Sequence, residues 1–179
     1  MKNTKTFYNG IYYNTRLEAR WAIFLDNFGV SYKVNEKVFK LKDGTLFKPT
    51  FYLTHYDFYA KVVEYHRHNH TDFNNSFELF LEQSKHTILL DGIPDYKSYT
   101  CIAFVNGYPG DQNVLFSEEY RNERFYYAPD NEEIYTKEEH LKPMYGNWVD
   151  KDWLGSDYEK AVIAAKSERF DKLRLDMKT

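Results

Sequence analysis

The first third of the chain carries a polar–apolar pattern that predicts a short hairpin followed by a helix. Two aromatic runs within Phe7–Tyr13 flank Asn9-Gly10, and Asn-Gly is a favoured two-residue hairpin turn. Thr15 and Glu18 then form a capping-box pattern, which marks the start of a helix. The apolar positions that follow at helical spacing, before a Gly29 cap, are Leu17, Trp21, Phe24, Leu25 and Phe28.

The middle of the chain predicts strands before and after a second helix. Runs of β-branched and aromatic residues, bounded by turns such as Asp43-Gly44, indicate the strands. The predicted strands cover Ser31–Leu41, Thr45–Leu53, Phe58–Tyr65, Thr87–Leu90, Tyr99–Val105 and Asn113–Phe116, with a short strand near Tyr126. Helical spacing predicts the second helix over Asp72–Lys85, and Gly107–Gly110 is typical of a turn.

A closing helix and the order of the elements indicate the fold class. The helix is predicted to run from Ser156-Asp157 to about Asp176, with Tyr158, Ala161, Val162 and Ala165 on its apolar face. A strand–helix–strand order predicts an α/β (α+β) fold, in which helices flank a central mixed β-sheet. Since no Pro/Gly-rich linker interrupts the chain, we expect a single domain over residues 1–179. An acidic irregular insertion, over about residues 117–155, precedes the C-terminal helix.

Charge is distributed unevenly along the chain, and this distribution bears on whether the partner is DNA or a protein. The net charge is −3, yet residues 1–70 hold 11 Lys/Arg against 6 Asp/Glu, whereas Ser117–Glu139 holds 8 acids against 3 bases. Proteins that bind DNA mainly through phosphates usually carry a basic excess, so the composition favours a protein partner. No apolar run reaches the ~18 residues of a membrane span, so we expect a soluble protein in the cytoplasm, without a membrane partner.

Three motifs carry a resemblance to a known family. Tyr13–Ile23, which reads Tyr-Asn-Thr-Arg-Leu-Glu-Ala-Arg-Trp-Ala-Ile, resembles the first helix of small phage proteins in the PD-(D/E)XK nuclease superfamily. Leu89–Pro94 is similar to that family's "LL-x-G-x-P" strand end, and Ala164–Phe170 is similar to its closing helix. The resemblance implies a PD-(D/E)XK nuclease-like core: a helix, a hairpin, a "PDF" strand, an "E-x-K" strand and an amphipathic helix.

The same resemblance implies a degenerate catalytic site. In the family, an Asp and a Glu bind Mg²⁺ and a Lys positions or activates water, often beside a Glu of the first helix. Position by position, Glu18 retains the helix carboxylate, whereas Thr50 replaces the Asp, Lys61 the Glu and Val63 the Lys. We therefore expect no metal, no cofactor and no enzymatic cleavage. We also expect Lys61 to point toward Glu18 and to form an ion pair in place of the metal.

Two features leave a metal-dependent alternative open. Glu64 and His66 could join a rearranged site if the strand slipped or bulged, which would give a weak metal-dependent nuclease. His66, His68 and His70 recur at every second position, which on a strand would place all three on one face, as in a metal clamp. No carboxylate or Cys accompanies them at regular spacing, so an exposed polar loop is the preferred interpretation.

A nuclease-like fold without its catalytic residues must act through its surfaces. We expect a phage or mobile-element protein that inhibits or modulates a host nucleic-acid-processing or defence protein, as anti-CRISPR and other anti-defence inhibitors do as a class. The candidate binding residues are Arg16, Arg20, Glu118, Glu119, Glu132, Glu133, Trp148 and Trp153. The two Trp either anchor a partner or pack locally onto the core. A non-cleaving DNA-binding module is the alternative, and the sequence leaves the oligomeric state open.

Overall fold

A computed structural model gives the architecture of the chain. It describes residues 5–34, 36–54, 58–64, 75–76, 79–80, 86–95, 99–105, 108–115, 126–127 and 155–170. Every structural statement below concerns these residues.

The N-terminal hairpin and the helix behind it form as their local sequence predicts. Strands β1 (Thr6–Tyr8) and β2 (Ile11–Tyr13) pair antiparallel. The turn residues Asn9 and Gly10 have φ values of 47° and 80°, and two positive φ values at this position are typical of a type I′ turn. Helix α1 (Arg16–Phe28) begins after Thr15 and ends at Gly29, which adopts the left-handed conformation with φ 78°. The predicted hairpin, helix and cap are confirmed.

The strands form a mixed sheet with a single parallel pair among its described strands. They are β3 (Tyr32–Val34), β4 (Phe39–Lys40), β5 (Leu46–Phe47), β6 (Phe51–Leu53), β7 (Phe58–Val63), β8 (His86–Asp91), β9 (Tyr99–Val105), β10 (Tyr108–Leu115) and β11 (Tyr126–Tyr127). Seven of them follow the order β11-β10-β9-β8-β7-β6-β3, in which β7 and β8 are parallel and the other neighbours antiparallel. Residues 75–76 and 79–80, between β7 and β8 in the chain, are helical, as a crossover between parallel strands requires.

Helices α1 and α2 (Ser156–Ser167) build the main core against one face of this sheet. Trp21, Phe24, Phe28 and Tyr158 are fully buried, and the ring of Phe24 contacts the other three at centroid distances of 5.2–5.6 Å. The strand residues that face these rings include Ala60 and Val62 of β7 and Ile88 and Leu90 of β8. All four apolar positions predicted for α2, from Tyr158 to Ala165, are buried.

A smaller cluster covers the opposite face of the sheet. Phe80 is fully buried there between Leu41 and Phe47, and Tyr59 and Leu89 of the sheet pack against the cluster. Strands β4 and β5 form a separate hairpin around the Asp43-Gly44 turn, where Gly44 has φ 88°. The architecture is therefore a mixed α+β fold, and the predicted fold class is confirmed at that level.

Several predicted boundaries are wrong. Ser31–Leu41 and Thr45–Leu53 are each divided into two short strands, because β4 and β5 leave the main sheet to pair with each other. Tyr108–Gly110 belongs to β10 rather than to a turn, since its ladder with β9 begins at the Tyr108–Val105 pair. Cross-strand pairing overrides the local turn preference of Pro109 and Gly110.

The closing helix ends earlier than predicted. Helix α2 stops at Ser167, and residues 168–170 are not helical, whereas the sequence predicted a helix to about Asp176. The Arg20 guanidinium donates hydrogen bonds to the carbonyls at this helix end, which satisfies acceptors that a further turn would otherwise use. Helix Asp72–Lys85 and the acidic insertion 117–155 lie largely outside the described residues. Nowhere in the described ranges is there a helix with the length and apolar character to cross a membrane.

Candidate functional site

A cavity of about 1110 Å³ lies at one edge of the sheet, between the N-terminal hairpin and β3. Strand β2 and the turn before it line one side, and residues of β3 line the other. Two carboxylates of α1 and the segment Lys48–Thr50, which leads into β6, complete the walls. The volume is slightly above the roughly 300–1,000 Å³ typical of small-ligand pockets.

Three of the four positions implied by the resemblance meet in this cavity. Glu18, Thr50 and Lys61 all line it, although 32 residues separate the first pair in sequence and 11 the second. Glu18 comes from the first turn of α1, Thr50 directly precedes β6, and Lys61 lies in the middle of β7. Val63 is 5 % exposed on β7 and does not belong to the cavity lining.

Thr50 is buried and forms hydrogen bonds with the neighbouring strand β7. Its N–H donates to the carbonyl of Ala60 at 2.8 Å, although the strand partner of Ala60 is Phe51. Thr50 thus stands as an extra residue opposite Ala60, in the manner of a β-bulge, and its side chain is turned back toward β7. The Thr50 hydroxyl accepts a hydrogen bond from the Val62 N–H at 3.1 Å. A side chain therefore satisfies a buried backbone donor at this position.

Lys61 contacts the wall of the cavity. Its ammonium donates to the carbonyl of Lys48 at 2.8 Å and lies 5.7 Å from the ring centroid of Phe47. The carboxylate of Glu18 accepts from the N–H of Asn14 at 2.9 Å, while its own N–H donates to the Thr15 hydroxyl at 3.0 Å. The expected Lys61–Glu18 ion pair is not among the ion pairs that the described residues form. Glu18 instead contributes to the cap of α1.

The sequence analysis missed a polar cluster around Asp26, at the far end of the cavity. Asn9 donates to the Asp26 carboxylate at 3.4 Å, and Tyr8 and Tyr32 lie near enough for its charge to raise the pKa of both hydroxyls. The hydroxyls of Tyr13 and Tyr32 lie 3.5 Å apart. The position of Asp26 in the sequence could have indicated this cluster. An acid in the last turn of a helix is unfavourable next to the negative end of the helix dipole, so it usually has another interaction that keeps it there.

Burial and this carboxylate favour the neutral form of the tyrosines. Burial, followed by the negative charge of Asp26, raises the pKa of Tyr8 to about 12. Burial raises the pKa of Tyr32 above its ordinary value, and the hydrogen bond with Tyr13 adds to the shift. Burial also raises the pKa of Tyr13, partly opposed by its hydrogen bond with Tyr32. The tyrosines therefore stay in their hydrogen-bonding, neutral form, and the Tyr13–Tyr32 contact joins the hairpin to β3.

The two candidate binding arginines have different surroundings. Arg20 donates to the carbonyls of Ala165 and Lys166, the latter at 2.9 Å, and to that of Glu168 at 3.4 Å, and its guanidinium lies 5.6 Å from the ring centroid of Phe170. Arg16, the first residue of α1, is exposed. The remaining candidates lie outside the described residues: Glu118, Glu119, Glu132, Glu133, Trp148 and Trp153.

Charges of both signs surround the cavity. The lysines are Lys33, Lys48 and Lys61, and the carboxylates are Glu18, Asp26 and Glu36. Over the described ranges, no group of three or more His, Cys, Asp or Glu side chains converges as a metal site would. Glu64 is exposed at the end of β7, and His66, His68 and His70 fall outside those ranges.

Comparisons with protein-family models, with curated proteins and with solved structures give no match for this chain.

Proposed function

We propose that this chain is a binding protein built on a degenerate PD-(D/E)XK nuclease-like core, and that it inhibits or modulates a nucleic-acid-processing or defence protein of its host. The observation that carries the proposal is the meeting of Glu18, Thr50 and Lys61 in one cavity. The pairing of β6 with β7 brings Thr50 near Lys61, but a chance sequence resemblance gives no reason for Glu18, 32 residues before Thr50, to line the same space.

The order of the elements supports the nuclease-like part of the proposal. Helix α1 is followed by β3, β6 and β7, which pair antiparallel, then by helical residues 75–76 and 79–80, and then by β8, which is parallel to β7. The family resemblance implies the same succession of helix, hairpin, strand, strand and helix. Thr50 directly precedes β6 and Lys61 lies on β7, the two neighbouring strands that would carry the metal ligands.

The chemistry at these positions favours binding over cleavage. Mg²⁺ is held by hard, usually anionic, oxygen ligands. The Thr50 hydroxyl is neutral and accepts a backbone N–H, and the Lys61 ammonium repels a cation from the position of the second ligand. With Glu18 as the one remaining carboxylate of the implied set, the position of the implied metal lacks the negative charge that would hold a divalent cation.

The charge distribution favours a protein partner. The net charge of −3 and the acidic stretch Ser117–Glu139 repel a phosphate backbone and suit a protein that itself has a basic, nucleic-acid-binding surface. The lysines around the cavity are the observation that favours the second candidate, a DNA-binding module that does not cut.

A capture experiment tests the proposal. The tagged chain is incubated with host lysate, with and without nuclease treatment, and the retained proteins are measured by mass spectrometry. We expect one protein in stoichiometric amount that survives nuclease treatment, and purified partner whose activity falls on addition of the chain. Loss of all retained protein after nuclease treatment, together with a DNA shift at ~150 mM salt, would replace this function with the DNA-binding one.

A further inference from the structure

Strand β3 forms one edge of the seven-stranded sheet, and its outer side faces the cavity. Its inner side pairs with β6, with Tyr32 opposite Leu53 and Val34 opposite Phe51. Over the described ranges no strand pairs with its outer side. The cavity is lined along this edge by Ser31, Tyr32, Lys33 and Val34. An open edge of this kind is a template for another strand.

The hydrogen-bonding pattern shows which backbone groups the edge presents. The N–H of Thr54 donates to the carbonyl of Ser31 at 3.1 Å, so these two residues form a hydrogen-bonded pair. Such pairs alternate along an antiparallel ladder, which makes Lys33 and Tyr52 the next one. Tyr32 and Val34 therefore direct their N–H and C=O groups outward, into the cavity.

The two faces of an added strand would meet opposite charges. Tyr32 and Val34 pack their side chains toward the core that contains α1, so Lys33 projects to the other face of the sheet. Lys61 shares that other face with Tyr59 of its own strand, which packs against the second core cluster. The carboxylates of Glu18 and Asp26 belong to α1, on the first face. One face is therefore acidic and the other basic.

We propose that an extended segment of a protein partner adds to β3 as a further strand, with basic side chains toward Glu18 and Asp26 and acidic side chains toward Lys33 and Lys61. Successive side chains of a strand point to opposite faces. The added segment must therefore alternate basic and acidic residues to match the two walls. Main-chain hydrogen bonds to Tyr32 and Val34 supply the part of the affinity that does not depend on the side chains of the added segment. This inference rests on the proposed protein-binding function and names the chemistry of the partner segment.

A designed peptide tests the sequence requirement. The probe is a peptide of about seven residues that alternates Lys and Glu, roughly 23 Å long when extended. One control has the same residues in a Lys block followed by a Glu block, and another has N-methyl groups on alternate backbone nitrogens. We expect the alternating peptide to bind about tenfold more tightly than either control, and to protect the amides of Tyr32 and Val34 from hydrogen exchange. Equal binding of all three, or no binding of the alternating peptide, overturns the proposal.

A proline at the edge tests the main-chain contacts. Val34→Pro removes an outward N–H and spares the ladder to β6, because proline is tolerated on edge strands. Val34→Ala loses similar packing but keeps the N–H, so it is the matched control. We expect Val34→Pro to weaken the peptide roughly tenfold relative to Val34→Ala, with both variants folded by circular dichroism. If Val34→Pro does not fold, the N-methylated peptide supplies the same comparison on the wild-type chain.

Further outcomes distinguish a failure of strand addition at β3 from a failure of the proposed binding function. A single- or double-stranded oligonucleotide that competes for the edge would identify nucleic acid as its ligand and overturn strand addition by a protein. Self-association that Val34→Pro abolishes would assign the edge to a second copy of this chain and overturn it as well. If Val34→Pro still captures the nuclease-resistant partner from lysate as efficiently as Val34→Ala, the binding function stands and the β3 edge is not its site.

Discussion

The hydroxyl of Thr50 accepts a hydrogen bond from the backbone N–H of Val62, at 3.1 Å. Thr50 stands where the resemblance implies a metal-binding Asp, and Val62 lies between the two degenerate positions of the next strand. The contact gives Thr50 a role in the sheet that needs no metal. It also explains how a neutral side chain can occupy a buried position next to Ala60 without leaving Val62 unsatisfied.

Removal of this hydroxyl should destabilise the fold. Thr50→Val keeps the shape of the side chain but leaves the buried N–H of Val62 without its acceptor, so we expect a loss of about 1–3 kcal/mol in the free energy of unfolding. Thr50→Ser keeps the hydroxyl and loses one methyl group, which costs about 1 kcal/mol. Urea-induced unfolding of the two variants measures the difference. A Thr50→Val variant as stable as the wild-type chain would show that the hydrogen bond contributes nothing.

Introduction of the carboxylates that the resemblance implies should create a metal site. In Thr50→Asp/Lys61→Glu, the Lys61 charge is removed and two carboxylates are added to the cavity that Glu18 also lines, and an Asp at position 50 can still accept from Val62. We expect the double variant to bind Mn²⁺ at least about tenfold more tightly than the wild-type chain, measured by titration calorimetry, and to gain thermal stability when Mn²⁺ is added.

Glu18→Gln in the same background provides the control, since it removes a ligand charge and should weaken Mn²⁺ binding again. Metal binding is the readout rather than cleavage, because Val63→Lys would bury an ammonium at a site that is 5 % exposed. A folded double variant that ignores Mn²⁺ would contradict a nuclease-like geometry in this cavity.

Local sequence signals predicted the elements whose determinants lie within one or two turns. Thr15 and Glu18 specify the start of α1, and Gly29 specifies its end, because caps act on backbone groups a few residues away. Asn9-Gly10 likewise specifies the first hairpin. The convergence of Glu18, Thr50 and Lys61 was predictable only through the resemblance, since no local pattern relates positions on three different elements.

Long-range contacts were beyond this kind of prediction. The bonds from Arg20 to the end of α2 span 145 residues, so neither the premature end of α2 nor the structural use of Arg20 follows from nearby residues. The sequence assigned Arg20 a binding role on charge alone. Its surroundings now make it a residue that joins two helices, whereas Arg16 keeps the exposure that a contact residue needs.

The two arginines should therefore respond differently to substitution. Arg20→Met removes the donors that satisfy the carbonyls of Ala165, Lys166 and Glu168, so we expect a loss of about 1–3 kcal/mol in the free energy of unfolding. Arg16→Met, at an exposed position in the same helix, should change it by no more than about 0.5 kcal/mol. Urea-induced unfolding compares them. A destabilisation by Arg16→Met as large as that by Arg20→Met would contradict the structural role of Arg20.

Stability should fall in alkaline solution because of the tyrosines near Asp26. The folded pKa of Tyr8 is about 12 against an ordinary value of 10.0, so folding favours its neutral form. A group with a raised folded pKa contributes stability that is complete below the unfolded pKa and is lost as the pH rises through the folded one. We therefore expect the free energy of unfolding to decline between about pH 10 and pH 12, in urea titrations at fixed pH, and to decline less steeply in Tyr8→Phe.

Asp26→Asn separates the two causes of the shift. Burial of Tyr8 and Tyr32 is retained in this variant, but the negative charge that disfavours their ionised forms is gone. We expect the ultraviolet titration of tyrosinate to move toward lower pH, while the hairpin stays attached to β3 through the Tyr13–Tyr32 contact. An unchanged titration in folded Asp26→Asn would mean that burial alone holds these tyrosines neutral, and that the carboxylate faces the cavity without acting on them.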